Sequence, residues 1–289
     1  MKKPHNQDFT PISDVVYENC PTVLEIYSTK EIAEIFDMAF LNGLCKNVLW
    51  ILRMKISGNF NGIGEGLFTK LSYLEHFQGN GMKDLTELSI DTSNLKHLDL
   101  SSNNLETIDF QFMEELVHLN LSRNNLEIQN IYMSTTSQPL NLQLRSLDLS
   151  YNKLTKIDFF LSFWNLRTLY LNNNQIERIK PGILQKYPNL IVLNLAVNKL
   201  HELESGMFIG LTQLVSLDIS FNKLNDINVQ IINSLGALEN LNLEGNRIDN
   251  FKYNELEHDI EVLKIDDNNT YLHGKKSENS SKRSVSIVK

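Results

Sequence analysis

The sequence predicts an α/β solenoid, a curved horseshoe with a parallel sheet on its concave side and a mostly irregular convex side. Two observations predict it. A phrase of the form L-x-x-L-x-L-x-x-N-x-L recurs along the chain, clearest at Leu190, Leu193, Leu195, Asn198 and Leu200. Its clear copies begin at Leu95, Leu116, Leu144, Leu166, Leu190, Leu214 and Leu238, spaced 21 to 28 residues apart, a period at which each unit is too short to bury a core alone.

Within each copy the leucines alternate as in a short strand with one buried face, and the Asn carboxamide is suited to bond backbone groups left unpaired at the turn. Weaker copies lie at Ile51-Met54-Ile56-Asn59 and Leu74-Phe77, and again at Ile260-Leu263-Ile265-Asn268. The solenoid is therefore expected over 51–270, with about ten repeats. Residues 1–50 read as an N-terminal cap, or as a cap with a degenerate repeat ending near Met38-Ala39-Phe40. Val23 to Tyr27 alternates like a strand there, and Ile32 to Leu44 has helical apolar spacing. Between the strands, segments such as Leu203 to Leu211 return along the convex side. The long step from Leu116 to Leu144, with Tyr132 to Pro139, reads as a loop on the rim. Residues 271–289 are lysine- and serine-rich and read as a disordered basic tail.

The chain of 289 residues has a formal charge of −8; its tail carries five basic residues against one acidic, which leaves the remainder near −12. An acidic body repels phosphate backbones, so nucleic acid is not expected as a partner. No membrane span is expected, because the longest apolar candidate, Val48 to Met54, is short and contains Arg53. The N-terminal MKKPHNQDFTPISDV has no apolar h-region and reads as lacking a signal peptide. The two cysteines, Cys20 and Cys45, fall in the cap. They form a disulfide if the chain is secreted and remain buried thiols if it is cytosolic.

The repeat also gives a register for the residues between the leucines. One outward column runs Arg53, His76, His97, His118, Ser146, Thr168, Val192, Ser216, Asn240, Val262. Its neighbour runs Lys55, Gln78, Asp99, Asn120, Asp148, Tyr170, Asn194, Asp218, Asn242, Lys264. His76, His97 and His118 then form a ladder at roughly the 4.8 Å inter-strand spacing, and binding on it is expected to respond between about pH 5.5 and 7.5. The ladder spreads over two strand spacings, about 10 Å, so no metal is assigned to it.

An apolar binding patch is expected from Tyr151, Tyr170, Ile191, Val192, Val197, Val215 and Phe221, positions that need not be apolar to build the core. Asp148, Asp218, Glu239, Glu244, Glu261, Asp266 and Asp267 flank it, which fits a protein partner with basic residues around an apolar anchor. Glycosylation sequons stand at Asn120, Asn268 and Asn279. No catalytic residue and no cofactor is assigned. The chain has no G-x-x-x-x-G-K, H-E-x-x-H, G-x-S-x-G or C-x-x-C, and Gly62 to Gly66 reads as a turn.

The phrase L-D-L-S-x-N at Leu98 to Asn103 and Leu147 to Asn152, followed by Ile157, Ile179, Leu203 or Ile227, resembles that of typical extracellular leucine-rich repeat proteins. NLKHLDLSSNNLETID is similar to arthropod members, among them the mosquito leucine-rich immune protein group. That resemblance implies a secreted, non-enzymatic module that binds a protein on its concave face, in innate immunity or receptor signalling. A C-terminal cysteine-rich cap and a coiled-coil tail, found in some members, are not present in this sequence. A cytosolic adaptor or regulatory subunit of an enzyme, located in the cytoplasm, is the alternative.

Overall fold

Parallel strands stacked rung on rung form the frame of the molecule. The computed structural model describes residues 22–27, 38–44, 51–58, 60, 62–64, 67–82, 94–109, 115–127, 131–132, 143–157, 163–249, 251–252, 255–257, 260–266 and 284–288. The N-terminal strands of the sheet are β1 (Val23–Tyr27), β2 (Arg53–Ser57), β3 (His76–Asn80), β4 (His97–Asp99), β6 (His118–Asn120) and β8 (Ser146–Asp148). They are followed by β9 (Thr168–Tyr170), β10 (Val192–Asn194), β11 (Ser216–Asp218), β12 (Asn240–Asn242), β13 (Val262–Asp266) and β14 (Ser284–Val288). Together these make one twelve-stranded sheet in chain order, with every pairing parallel. The interposed β5 (Ile108–Asp109) and β7 (Ile131–Tyr132) pair with each other in a small second sheet.

The register matches the expected one at every rung. His76 pairs with His97 and His97 with His118; Tyr170 pairs with Asp148 and Asn194. Short strands suffice because the central leucines are buried, Leu169, Leu193 and Leu217 being at most 1% exposed, and burying one contributes roughly 1.5–3 kcal/mol. Phe163, Tyr187, Phe208 and Phe251 fill the core along with the leucines. The return segments are mainly irregular. Exceptions among the described residues include the 3₁₀ turn Ile183–Lys186, α2 (Leu67–Lys70) and α3 (Val229–Asn233), whose N-cap Asn228 accepts the Gln230 N–H at 3.0 Å.

Two differences from expectation sit at the ends. The sheet begins inside the segment read as a cap, since β1 pairs in register with β2, while α1 (Met38–Leu44) occupies part of the stretch with helical spacing. The tail is not wholly without structure: β14 pairs with β13, because Ser284 to Val288 alternates Ser-Val-Ser-Ile-Val with the period of a strand. Cys20, Cys45, Asn268, Asn279 and most of the 132–139 segment lie outside the described residues.

What locks the rungs together is the repeat's Asn. The Asn198 carboxamide donates to the Leu195 carbonyl of its own repeat and the Leu171 carbonyl of the preceding one, both at 3.0 Å; its Oδ1 accepts the Ile176 N–H, also at 3.0 Å. Asn124, Asn152, Asn174 and Asn222 do the same in their repeats, and all five are 8% exposed or less. Each therefore satisfies a buried N–H, and successive carboxamides share the core carbonyls, Leu171 accepting from Asn174 and Asn198 and Leu195 from Asn198 and Asn222.

Replacing Asn198 with Ala strands the Ile176 N–H in the core and leaves the Leu171 and Leu195 carbonyls with one carboxamide donor each, from Asn174 and Asn222; a buried unsatisfied group costs about 1–3 kcal/mol. Urea unfolding of N198A is expected to show a stability loss of about 1–3 kcal/mol. A loss below about 1 kcal/mol would mean that the Asn column does not hold the solenoid.

Candidate protein-binding face

The outward columns divide into structural and free positions. Where the second column carries Asp or Asn, the side chain turns back on its own strand end. Asp99, Asn120, Asp148, Asn194, Asp218 and Asn242 each accept the N–H of the residue two further on, at 2.8–3.2 Å. Asp218 also accepts the Ser220 hydroxyl at 2.6 Å and the Asn242 amide at 3.2 Å. Asp266 accepts the Gly245 N–H at 2.9 Å. These turn caps correct the reading of the acidic flank: Asp148, Asp218 and Asp266 serve the backbone first, which leaves Glu239 and Glu244 as carboxylates of the flank outside these caps. Asp267 lies outside the described residues.

Tyr170 takes the place of a capping Asp or Asn between Asp148 and Asn194, so its ring is free for other use. Asn120 lies between Asp99 and Asp148 on the concave side and caps Ser122, so a glycan there would stand within the trough described next.

The N-terminal half of the sheet encloses a trough of about 590 Å³, whose lining includes Arg53, His76, His97, His118, Asn120 and Tyr170. The histidine rings stack face to face: His76 and His97 lie 4.0 Å apart and His97 and His118 4.5 Å apart, each pair 9° from parallel. Burial lowers the His97 pKa to about 4, helped by His76 and His118 on either side and by Arg53. Burial and Arg53 also lower that of His76, against a smaller raising effect of Glu75. Glu75 itself is lowered by its 2.8 Å hydrogen bond and ion pair with Lys96. The pH window expected from an unperturbed imidazole therefore moves down for His76 and His97. Stacked neighbours and partial burial, neither of which a spacing pattern records, are the cause.

The apolar residues named from the sequence do not form one patch. Ile191 and Val215 sit one residue before the histidine column, Val192 within it, and Tyr170 in the second column. Tyr151, Val197 and Phe221 lie past the strand ends, in the turn before the repeat's Asn. Strand β10 and the turn after it separate Ile191 from Val197, so the apolar residues mark two opposite edges of the sheet.

The second edge has a backbone signature. Ser102, Arg123, Tyr151, Asn173, Val197 and Phe221, all at the position before the Asn, have φ between 51° and 58°. Each N–H in this row reaches the next rung, as Val197 does to the Ser220 carbonyl at 2.9 Å and Phe221 to that of Glu244 at 2.7 Å. Asn and Gly tolerate left-handed geometry, whereas a β-branched Val does so at a cost of roughly 1–2 kcal/mol. Tyr151, Val197 and Phe221 are nonetheless 42%, 42% and 53% exposed. Arg123 lies over the Tyr151 ring at 4.1 Å, and the Phe221 ring covers Gly245 so closely that a Cβ there would stand 2.4 Å from it. Sequence reasoning selected these three side chains but not their shared turn position; the fixed offset from the Asn was the available signal. It missed Trp164, exposed at 61%, and the adjacent Arg145 and Arg167.

Among the described residues no helix is long and apolar enough to cross a membrane, and no group of three His, Cys, Asp or Glu side chains is placed to hold a metal ion.

Comparison with known proteins gives the following. The family model described as Leucine rich repeat matches residues 79–126 and 164–224, and that described as Leucine Rich repeats (2 copies) matches 143–184. A probable U2 small nuclear ribonucleoprotein A′ of Caenorhabditis elegans is 48% identical over 48 residues, which is 17% of this chain and 19% of that protein. The matched stretch thus spans about a fifth of that relative's length. A solved TLR13-ssRNA13 complex superimposes with a TM-score of 0.67 at 19% identity, over 86% of this chain and 40% of that one. An internalin (inlF) from Listeria monocytogenes str. 4b F2365 is similar at a TM-score of 0.46 and 16% identity, over 80% of this chain and 77% of that one.

His97 predicts a stability profile. Its folded pKa is about 4 and its ordinary value 6.5, so between those limits the unfolded state binds more protons and stability rises with pH. Stability is expected to fall as pH drops from 6.5 towards 4, and His97→Gln should flatten that fall in urea titrations. A profile unchanged by H97Q would remove the ladder as its source.

Proposed function

The chain belongs to the leucine-rich repeat family, and from that premise we propose that it is a non-enzymatic recognition module that binds a protein partner across its concave sheet. The observation that carries the reading is energetic. Val197 and Phe221 hold large, exposed apolar side chains on left-handed backbone, a conformation disfavoured for such residues and offset by little burial. Exposed apolar side chains at strained positions fit anchors for a partner. Tyr170, the one aromatic residue in a column otherwise given mainly to turn caps, extends that surface into the trough.

The partner is read as a protein rather than nucleic acid because the body of the chain is acidic and the concave columns hold few cations. The resemblance to extracellular arthropod members supports a secreted role in innate immunity or receptor signalling, with Cys20 and Cys45 paired and Asn120, Asn268 or Asn279 glycosylated. A second reading, an intracellular adaptor, is favoured by the short match to the ribonucleoprotein A′. Thiol labelling of the native protein without reductant separates the two: blocked Cys20 and Cys45 support secretion, labelled ones the interior of the cell.

The binding reading is tested with Val197→Asn and Phe221→Asn combined with Tyr170→Asp. Asn is at ease in left-handed geometry, so the two turn substitutions are expected to hold or raise the melting temperature while removing the anchors. Crosslinked partner recovered by wild type should be lost from the triple variant. Equal recovery at equal melting temperature would overturn the assignment.

A further inference from the structure

The edge of the sheet opposite the left-handed row carries a different chemistry. In the row just before the histidine column, Lys96 is paired with Glu75 at 2.8 Å. Arg145 and Arg167, two and three rungs further on, are exposed and form no ion pair among the described residues. Their rungs are adjacent, the Arg167 N–H reaching the Arg145 carbonyl at 2.8 Å, so two like charges stand side by side. In a chain of net charge −8 this is a local reversal of sign. Around them lies a notch of about 350 Å³ lined by Arg145, Asn165, Arg167, Asn189, Ile191 and Gln213.

We infer that this notch docks an acidic segment of a protein partner, a carboxylate seated between the two guanidiniums and an apolar neighbour on Ile191. Guanidinium groups offer paired donors matching a carboxylate, and a carboxylate between them relieves their mutual repulsion. The carboxamides of Asn189 and Gln213 add neutral polar groups at the wall. Asn189 also fixes the lip, donating to the Trp164 carbonyl at 2.7 Å. Trp164, next to Asn165 in the chain, is the most exposed large apolar residue described, at 61%. Tryptophan and arginine together are the residue types that most often carry binding energy at protein interfaces.

A peptide fits better than a nucleic acid strand. A phosphate backbone needs cations along its length, whereas this row continues from Arg167 through Ile191 and Val215 to Glu239, which would meet the following phosphates with like charge. The notch goes beyond the concave-face reading, since it lies at the opposite end of the strands from Val197 and specifies the sign of the partner's charge.

The test pans a phage-displayed library of random dodecapeptides on the intact chain, with R145Q/R167Q as the subtraction target. The peptides that survive are expected to carry two or more Asp or Glu residues beside an apolar one. When synthesised, they should lose at least tenfold in affinity for R145Q/R167Q, at least threefold for W164A, and none for V197N/F221N. Equal melting temperatures of variants and wild type keep folding out of the result. Survivors without acidic enrichment, an unchanged affinity for R145Q/R167Q, or a labelled oligouridylate binding the same arginines more tightly than the peptides, would each overturn the proposal. Because V197N/F221N leaves the notch intact, failure here is distinguishable from failure of the concave-face reading.

Discussion

The structure depends on one recurrent interaction, the buried carboxamide of the repeat's Asn. A solenoid of this period bends its chain sharply after every three-residue strand, and each bend leaves carbonyls and N–H groups inside a dry core. Asn152, for example, donates to the Leu149 and Leu121 carbonyls at 3.1 and 3.0 Å and accepts the Leu126 N–H at 3.0 Å. One side chain thereby joins its own turn to the preceding one. The leucines alone supply apolar area but no direction; the carboxamide, with a donor side and an acceptor side, sets how each rung sits on the last.

That requirement also decides which surface positions are free. The turn needs a left-handed residue before the Asn and, on most rungs, an Asp or Asn that caps the strand end. The capping positions are therefore chemically committed even though they face outward, as Asp218 shows with its three internal hydrogen bonds to Ser220 and Asn242. The position before the Asn is committed in backbone but not in side chain, which is why Ser102, Arg123, Tyr151 and Val197 all occupy it with nearly the same φ. Variation concentrated where the fold constrains only the backbone is the arrangement a binding surface needs.

Fold and register were legible in the sequence because both follow from a period: the leucines repeat, strands alternate, and every concave column could be counted off before any coordinate. The composition of the candidate site was less legible. Tyr151 and Val192 are both apolar and both outward, but a turn separates the edge of one from the column of the other, and a linear pattern does not record that turn. The histidine ladder was placed correctly in space, but His76 and His97 titrate lower than an unperturbed imidazole, because partial burial and the neighbouring rungs act between residues more than twenty apart. The strand at Ser284 to Val288 was overlooked for a related reason: lysines and serines around it set the local composition, and the five-residue alternation inside them was read as part of the tail.

The two edges of the sheet now present opposite characters. One holds apolar side chains on strained turns, whose removal should not weaken the solenoid; the other holds a pair of arginines and an exposed tryptophan. Between them lie the histidine trough and the committed caps. A partner engaging both edges must reach across the three-residue strands from one end to the other, which a folded domain or an extended segment does. Such a partner would bring an acidic segment to Arg145 and Arg167 and apolar groups to Val197 and Phe221. A stretch of either kind alone engages only one edge, so the width of the sheet itself discriminates between partners by requiring the two chemistries at a fixed separation.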